Sequence, residues 1–305
     1  MQRYARRRAL LAAGGALIGA ASLPAAAQDD VRRHFTGLRL GANLERWFPI
    51  AADQRPRRLG RGWWQGLRAA GFDHARLFIP RDAGDGEDVP RLFLAAVEDA
   101  NAAGLPVLLG LEDIYEPDKP WGEGVLRRVA ARAALFARAT DPTRLALAPL
   151  NEPAFGDAAS WTPVRDRLLA LVRGQAPRHV LVWGGHEWCS WRSLIRQPPA
   201  RDPLTIAEVH DYEGGEAHWV AQRFGECAAW GRRHATPVMV TELGGALPHA
   251  ENVGAWAADL SRALPELRRL GLPVALWAVT HGGHWRLQDG DGPAPRRALA
   301  AAIRG

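Results

Sequence analysis

The sequence predicts a single-domain α/β fold, a closed (β/α)8 barrel, and three observations point to it. Eight short apolar runs alternate with helical stripes along the chain. The junctions from helix to strand repeat one signal, glycine then proline. Polar residues collect at the C-terminal ends of the apolar runs, where barrels of this kind keep their chemistry. The alternation spans about 270 residues, enough for one such barrel.

The candidate strands are Leu38–Asn43, His74–Ile79, Val107–Leu111, Leu145–Leu150, Val180–Trp183, Thr205–His210, Val238–Thr241 and Val274–Ala278. Each is short and mostly apolar, as strands covered on both faces should be. Between them lie apolar stripes at helical spacing: Leu92, Phe93, Ala96, Val97 and Ala100; Leu126, Val129, Ala133 and Phe136; Leu168, Leu169 and Val172; Trp256, Leu260, Leu264 and Leu267. Gly104-Leu105-Pro106-Val107 matches Gly271-Leu272-Pro273-Val274. Glycine ends a helix and proline precedes a strand, a physically sensible stop and restart. An open doubly wound sheet is the rival fold. It would carry a glycine-rich phosphate loop after its first strand, and Gly41-Ala42-Asn43-Leu44 is not one.

Residues 1–27 read as an export signal and residues 28–305 as the barrel. Arg6-Arg7-Arg8 is a basic start, Ala9 to Leu23 an apolar stretch, and Ala25-Ala26-Ala27 a small-residue cleavage site. The consecutive arginines fit a twin-arginine signal, with an ordinary secretory signal as the alternative. The apolar stretch is short and rich in Gly and Ala for a membrane anchor of about 20 residues. The expected location is therefore periplasmic or secreted, with no stable membrane insertion once the signal is removed. The formal charge of +6 reflects that leader. Without it, 35 basic and 33 acidic residues leave +2. No basic stripe interleaved with aromatics suggests nucleic acid. In an oxidising compartment Cys189 and Cys227 are a candidate disulfide, with two free thiols as the other reading. Neither they nor His281 and His284 have the spacing of a metal site, so no metal or cofactor is expected. A monomer is expected.

Two of the runs end in glutamate: Leu145 to Leu150 opens into Asn151-Glu152-Pro153, and Pro237 to Thr241 into Glu242-Leu243-Gly244-Gly245. Two carboxylates on one rim are what acid/base cleavage of a glycosidic bond requires. Arg76 ends the second strand region, His210 and Tyr212 the sixth, and Trp277 the eighth. Each has a plainer reading alone: a salt-bridge partner, a structural histidine, a loop cap, a core tryptophan. Together with the two glutamates they make a set that chance does not assemble easily among 33 acidic residues.

With Asn151-Glu152-Pro153, His210-Asp211-Tyr212, Thr241-Glu242-Leu243-Gly244 and Leu276-Trp277 in strand register, the mature chain resembles glycoside hydrolase family 5. The resemblance implies a retaining hydrolase with Glu152 as acid/base and Glu242 as nucleophile. It implies Asn151 on the sugar 2-hydroxyl, His210 beside the acid/base, Arg76 and Tyr212 supporting Glu242, and Trp277 under the −1 sugar, with a Trp277–Ala278 peptide often cis in such enzymes. Physically, the acid must hold a proton, so burial or the opposing carboxylate should raise Glu152, while Glu242 should stay ionised. The family places a histidine after the third strand, where this chain has Glu112 and Asp113. One of these is expected to take its sugar contact, or the subsite is altered. Glu45 and Glu187 are further carboxylates near the rim.

Thirteen Trp against three Tyr offer flat faces for stacking on sugars, although about half should simply pack the core. Trp47, Trp121, Trp161, Trp188, Trp191 and Trp285 fall in rim loops and are the candidates; Trp230 and Trp256 fall in helices. His281 and His284 would shape the cleft end. Gly184-Gly185-His186-Glu187-Trp188 resembles the corresponding stretch of the family's endoglucanases. The expected partner is a β-linked polysaccharide, first a β-1,4-glucan cleaved internally. Mannan, β-1,3-glucan and mixed-linkage glucan are alternatives, as is a barrel that binds polysaccharide without cleaving it.

Overall fold

A computed structural model describes residues 24–45, 58–79, 88–113, 123–280, 284–290 and 292–304. In chain order these form α1 (Ala25–Thr36), β1 (Leu40–Leu44), α2 (Arg61–Ala69), β2 (His74–Phe78), α3 (Asp88–Ala102), β3 (Val107–Gly110), α4 (Glu123–Ala139), β4 (Leu145–Ala148) and α5 (Ala158–Gln175). There follow β5 (Leu181–Gly184), α6 (Trp191–Ile195), β6 (Thr205–Asp211), α7 (Ala217–Arg233), β7 (Val238–Leu243), α8 (Leu247–Ala250), α9 (Val253–Leu270), β8 (Val274–Thr280) and α10 (Arg297–Arg304). The eight strands close in sequence order, all parallel, with β1 against β8. All eight predicted runs are strands of this (β/α)8 barrel.

Strand alternation divides the apolar residues into two cores. Ala75, Leu77, Val107, Leu109, Leu145, Leu147, Ala207 and Val209 face outward, joining the predicted stripes of α3, α4, α5 and α9 in one large cluster. Leu108, Ala146, Ala148, Val180, Val182, Leu204, Ile206 and Met239 face inward and fill the lower barrel. Val31 and Phe35 of α1 belong to that inner cluster, so α1 closes the N-terminal end. The helix is not among the predicted elements: Ala25-Ala26-Ala27, small residues that suit a cleavage site, also begin a good helix. Phe35 is fully buried. Phe35→Ala is therefore expected to cost about 3 kcal/mol or more in urea denaturation. A cost under about 1 kcal/mol would show that the plug is dispensable.

The glycine junctions form as predicted. Gly104 and Gly271 are left-handed, at φ 81° and 68°. Leu105 N–H returns to Ala100 O and Leu272 N–H to Leu267 O, both at 3.0 Å, which caps the open carbonyls of α3 and α9. The cysteines do not pair. Cys227 faces the outer core from α7, Cys189 lies behind the rim against Glu208, and both are buried free thiols. Trp47, Trp121 and His281 lie outside the described residues.

Candidate active site

Glu152 stands where the chain leaves β4. Asn151 still pairs with the end of β3, its N–H donating to Glu112 O at 2.8 Å. The next residue turns sharply: Glu152 is left-handed, φ 45°, a conformation non-glycine residues adopt at a cost of about 1 kcal/mol or more. The loop beyond is stitched to the one after β5. Trp188 N–H donates to Pro153 O at 3.0 Å and Phe155 N–H to His186 O at 2.8 Å. Trp188 and Cys189 are left-handed as well, and Cys189 O accepts from His210 N–H at 2.9 Å. Three strand ends thus hold one another around Glu152.

Glu242 reaches the interior through an irregularity. Plain alternation on β7 points Met239 and Thr241 inward and sends residue 242 out to the helices. Instead the register with β6 shifts, from Val209 opposite Val240 to His210 opposite Glu242. The extra residue reverses the parity, so Thr241 and Glu242 both face the barrel. This is also why Glu242 lies within β7, not after it: the pairing with β6 continues past the predicted end at Thr241.

Arg76 joins the set from β2. Its Nη1 donates to Glu242 Oε1 at 2.5 Å and to Asn43 Oδ1 at 3.0 Å, and its Nη2 to Asn151 Oδ1 at 2.7 Å. Tyr212 Oη donates to Glu242 Oε2. His210 Nδ1 lies 2.8 Å from Glu152 Oε1 and 3.5 Å from Glu242 Oε2. Oxygens of Glu152 and Glu242 and a ring nitrogen of His210 lie within 4.8 Å of one another. Trp277 forms one wall, stacked on Phe78 with ring centroids 5.8 Å apart, and its peptide to Ala278 is cis. All seven predicted site residues therefore meet at one place.

Two residues of the site were not foreseen. Asn43 braces Arg76 and donates through Nδ2 to Thr241 O at 2.8 Å. Glu208 sits within β6, fully buried, 3.8 Å from Arg76 and 3.7 Å from His210. The signal for Glu208 was present: it is two residues before His210, hence on the same face, and it is the only acid inside an otherwise apolar run.

The charges interlock. Burial opposes the Arg76 charge, but Glu242 and Glu208 outweigh it and raise its guanidinium above the ordinary value. Burial lowers His210, yet Glu242, Glu152 and Glu208 push it up to about 9. Glu242 is raised by burial and by Glu152, against the pull of His210, Arg76 and the Tyr212 hydroxyl. A raised carboxyl at Glu242, the expected nucleophile, is not what its sequence position suggests; full burial is the largest cause. The Tyr212 phenol is held well above its usual value by burial and Glu242, so it remains a donor. Among the described residues, Glu152-His210-Glu242 and Cys189-Glu208-His210 each bring three ligand-type atoms together. Arg76 lies between them, 2.5 Å from Glu242 and 3.4 Å from His210 Nε2, and already supplies the positive charge a cation would bring.

Other predicted residues separate. Glu112 is buried and paired with Arg128 and Arg132 of α4, both at 3.1 Å, so it anchors a helix and does not meet a sugar. Asp113 accepts from Asn151 Nδ2 at 3.2 Å and stands one bond behind the site. Trp161 is buried in α5 and donates to Gly184 O at 2.9 Å; it is packing, not a cleft aromatic. Glu187 is exposed and accepts from Ser190. Trp191 donates to Glu213 at 3.0 Å. Trp285 lies edge-on to Tyr212 at 5.2 Å. Among the described residues, Trp188, half exposed beside Pro153, and Trp219, exposed at the start of α7, are the open aromatics. His284 is exposed, 3.7 Å from Glu251.

The family model of Cellulase (glycosyl hydrolase family 5) matches residues 92–283, which include both glutamates. The chain belongs to glycosyl hydrolase family 5. It is thus a glycoside hydrolase by family. No curated protein matches it. Among solved structures, an endoglucanase superposes with a TM-score of 0.75 at 16% identity, covering 90% of this chain and 99% of that one. Cel5A of Thermotoga maritima, solved with mannotriose, gives 0.74 at 17% identity over 90% and 100%. A broad-specificity endoglucanase from Clostridium cellulovorans gives 0.71 at 13% over 90% and 95%. At these identities the likeness is one of fold. No described helix is long and apolar enough to cross a membrane.

Proposed function

We propose that the chain is an exported retaining β-glycosidase, an endo-β-1,4-glucanase, with Glu242 as nucleophile and Glu152 as acid/base. One observation carries the reading: oxygens of the two carboxylates lie within 4.8 Å, joined through His210. That spacing suits direct attack. An inverting pair stands about 6.5–9.5 Å apart to admit a water. Glu242 attacks the anomeric carbon, and the bond to the leaving oxygen breaks as Glu152 gives that oxygen its proton. Glu152 then takes a proton from water, which displaces Glu242 from the sugar ester. Arg76 and Tyr212 bond both oxygens of Glu242, orient it and receive its charge when it leaves. Asn151, held by Arg76 and Asp113, retains an amide hydrogen for the sugar 2-hydroxyl.

The substrate choice rests on two supports. Family 5 is the cellulase family, and the solved neighbours include endoglucanases. Mannan is the second reading, because one neighbour was solved with mannotriose. Export removing residues through Ala27 would spare Val31 and Phe35 of the plug. Reducing-sugar release by residues 28–305 decides among substrates, on carboxymethyl cellulose, mixed-linkage β-glucan, mannan, xylan and laminarin. The largest rate is expected on a β-1,4-glucan. A larger rate on mannan replaces the substrate, and silence from a folded protein overturns the hydrolase reading.

The pH profile follows from the buried nucleophile. Glu242 must be ionised to attack, and burial raises its carboxyl. Activity should therefore fail on the acid side at a pH above the ordinary glutamate value of about 4.3. The measurement is kcat/KM against pH on an aryl β-cellobioside; an acid limb below 4 contradicts it.

A further inference from the structure

We propose that Glu208 is a positioning residue: acting on the Nε2 edge of His210, it fixes how the proton on Nδ1 is shared with Glu152, and so sets the pH at which the acid/base is lost. The inference rests on the hydrolase reading above. Glu208 lies one inward position below His210 on β6 and is fully buried. Its Oε2 accepts from Thr241 Oγ1 at 2.7 Å and stands 3.7 Å from His210 Nε2 and 3.8 Å from Arg76 Nη2. Its Oε1 faces the Cys189 thiol at 3.9 Å. The fold makes room for it. A Cβ at position 184 would lie 3.3 Å from Glu208 Cγ and 2.1 Å from Cys189 Sγ, so β5 has glycine there.

A carboxylate inside a packed barrel is costly, and bond cleavage by Glu152 and Glu242 has no direct use for a third. Glu208 faces the far side of the imidazole at 3.7 Å from Nε2, a nitrogen that Arg76 Nη2 also approaches to 3.4 Å. The groups facing this cluster are Arg76 from β2, Glu152 beyond β4, Cys189 beyond β5, Tyr212 beyond β6, and Thr241 and Glu242 from β7. Cys189 is a neutral thiol, pushed well above its ordinary value by burial and Glu208. Glu208 itself is lowered: burial raises it, but His210, Arg76 and Thr241 outweigh burial. As an anion it favours a proton on Nε2. The other imidazole proton then sits on Nδ1, aimed at Glu152 Oε1 at 2.8 Å, from which Glu152 is recharged. With one negative charge fewer, the Glu152–His210 pair surrenders its shared proton at lower pH.

The test compares wild type, Glu208→Gln and Glu208→Asp in two readouts: kcat/KM against pH on an aryl β-cellobioside, and the His210 ring titration by nitrogen NMR. In Glu208→Gln the basic limb is expected to move down by about one pH unit or more, with the His210 midpoint falling alongside it. Glu208→Asp keeps the charge and should lie between; it carries the test if Glu208→Gln does not fold. A slower enzyme with an unmoved limb would mean a structural role and overturn the proposal. If the wild type cleaves nothing, the hydrolase reading fails by itself. An unmoved His210 midpoint would then also sink the coupling, and a lowered one would keep it.

Discussion

Glu242→Ala is expected to lower kcat/KM on an aryl β-cellobioside by at least about 10⁴-fold, the scale of losing one member of a catalytic unit. In the proposed mechanism the alanine removes the group that attacks the anomeric carbon. It also leaves a space beside Arg76 and Tyr212 that a small anion fits. Added azide should restore turnover and yield the glycosyl azide of inverted configuration. Glu152→Ala should behave differently. With a good leaving group the first step needs little acid, so release of the sugar from Glu242 becomes slow, and a loss of about 10²–10⁴-fold follows. Azide should speed that release and yield a product of retained configuration. Opposite products from the two variants would assign both roles. Retained product from Glu242→Ala would exchange them, and full activity in either variant would remove that residue from the mechanism.

The two glutamates were legible because each ends an apolar run, and a charge at the end of a buried strand has few other uses. The eight strands were legible because apolar runs between helical stripes leave few alternatives. What stayed hidden depended on parity and on tertiary pairing. Glu208 lies inside a run, and only the inward direction of His210 shows that it faces the site. The bulge that turns Glu242 inward is a register shift against β6, a property of two strands and not of one. Trp161 read as a rim residue because it follows Glu152 closely. However, α5 begins at Ala158, capped by Asp157 and Ser160, and its first turn already faces the core. Glu112 is one of two candidates for a sugar contact in the sequence because its partners, Arg128 and Arg132, reach it from a helix whose direction the sequence does not show.

Arg76→Met is expected to destabilise the protein by about 4 kcal/mol at pH 7 and to abolish turnover. The cost is not chiefly that of a lost contact. Arg76 is the fixed cation between two buried carboxylates, and Met leaves Glu242 and Glu208 buried without it. Asn43 and Asn151 lose a donor as well. The pH dependence identifies the cause. In the wild type, Glu208 is lowered, so its contribution is complete above the unfolded glutamate value of about 4.3 and is lost as pH falls further. In the variant the buried carboxylates favour protonation, so the stability gap between variant and wild type should shrink from pH 7 to pH 5. A gap independent of pH would assign the loss to packing of the side chain. Arg76→Lys keeps the charge without the fork that bonds Glu242, Asn43 and Asn151 together, and should recover stability more than activity. Adding Glu242→Gln to Arg76→Met removes one of the stranded charges. That double variant should be more stable than Arg76→Met alone, by urea denaturation at pH 7, while remaining inactive. Stability and catalysis would then be separated at one guanidinium.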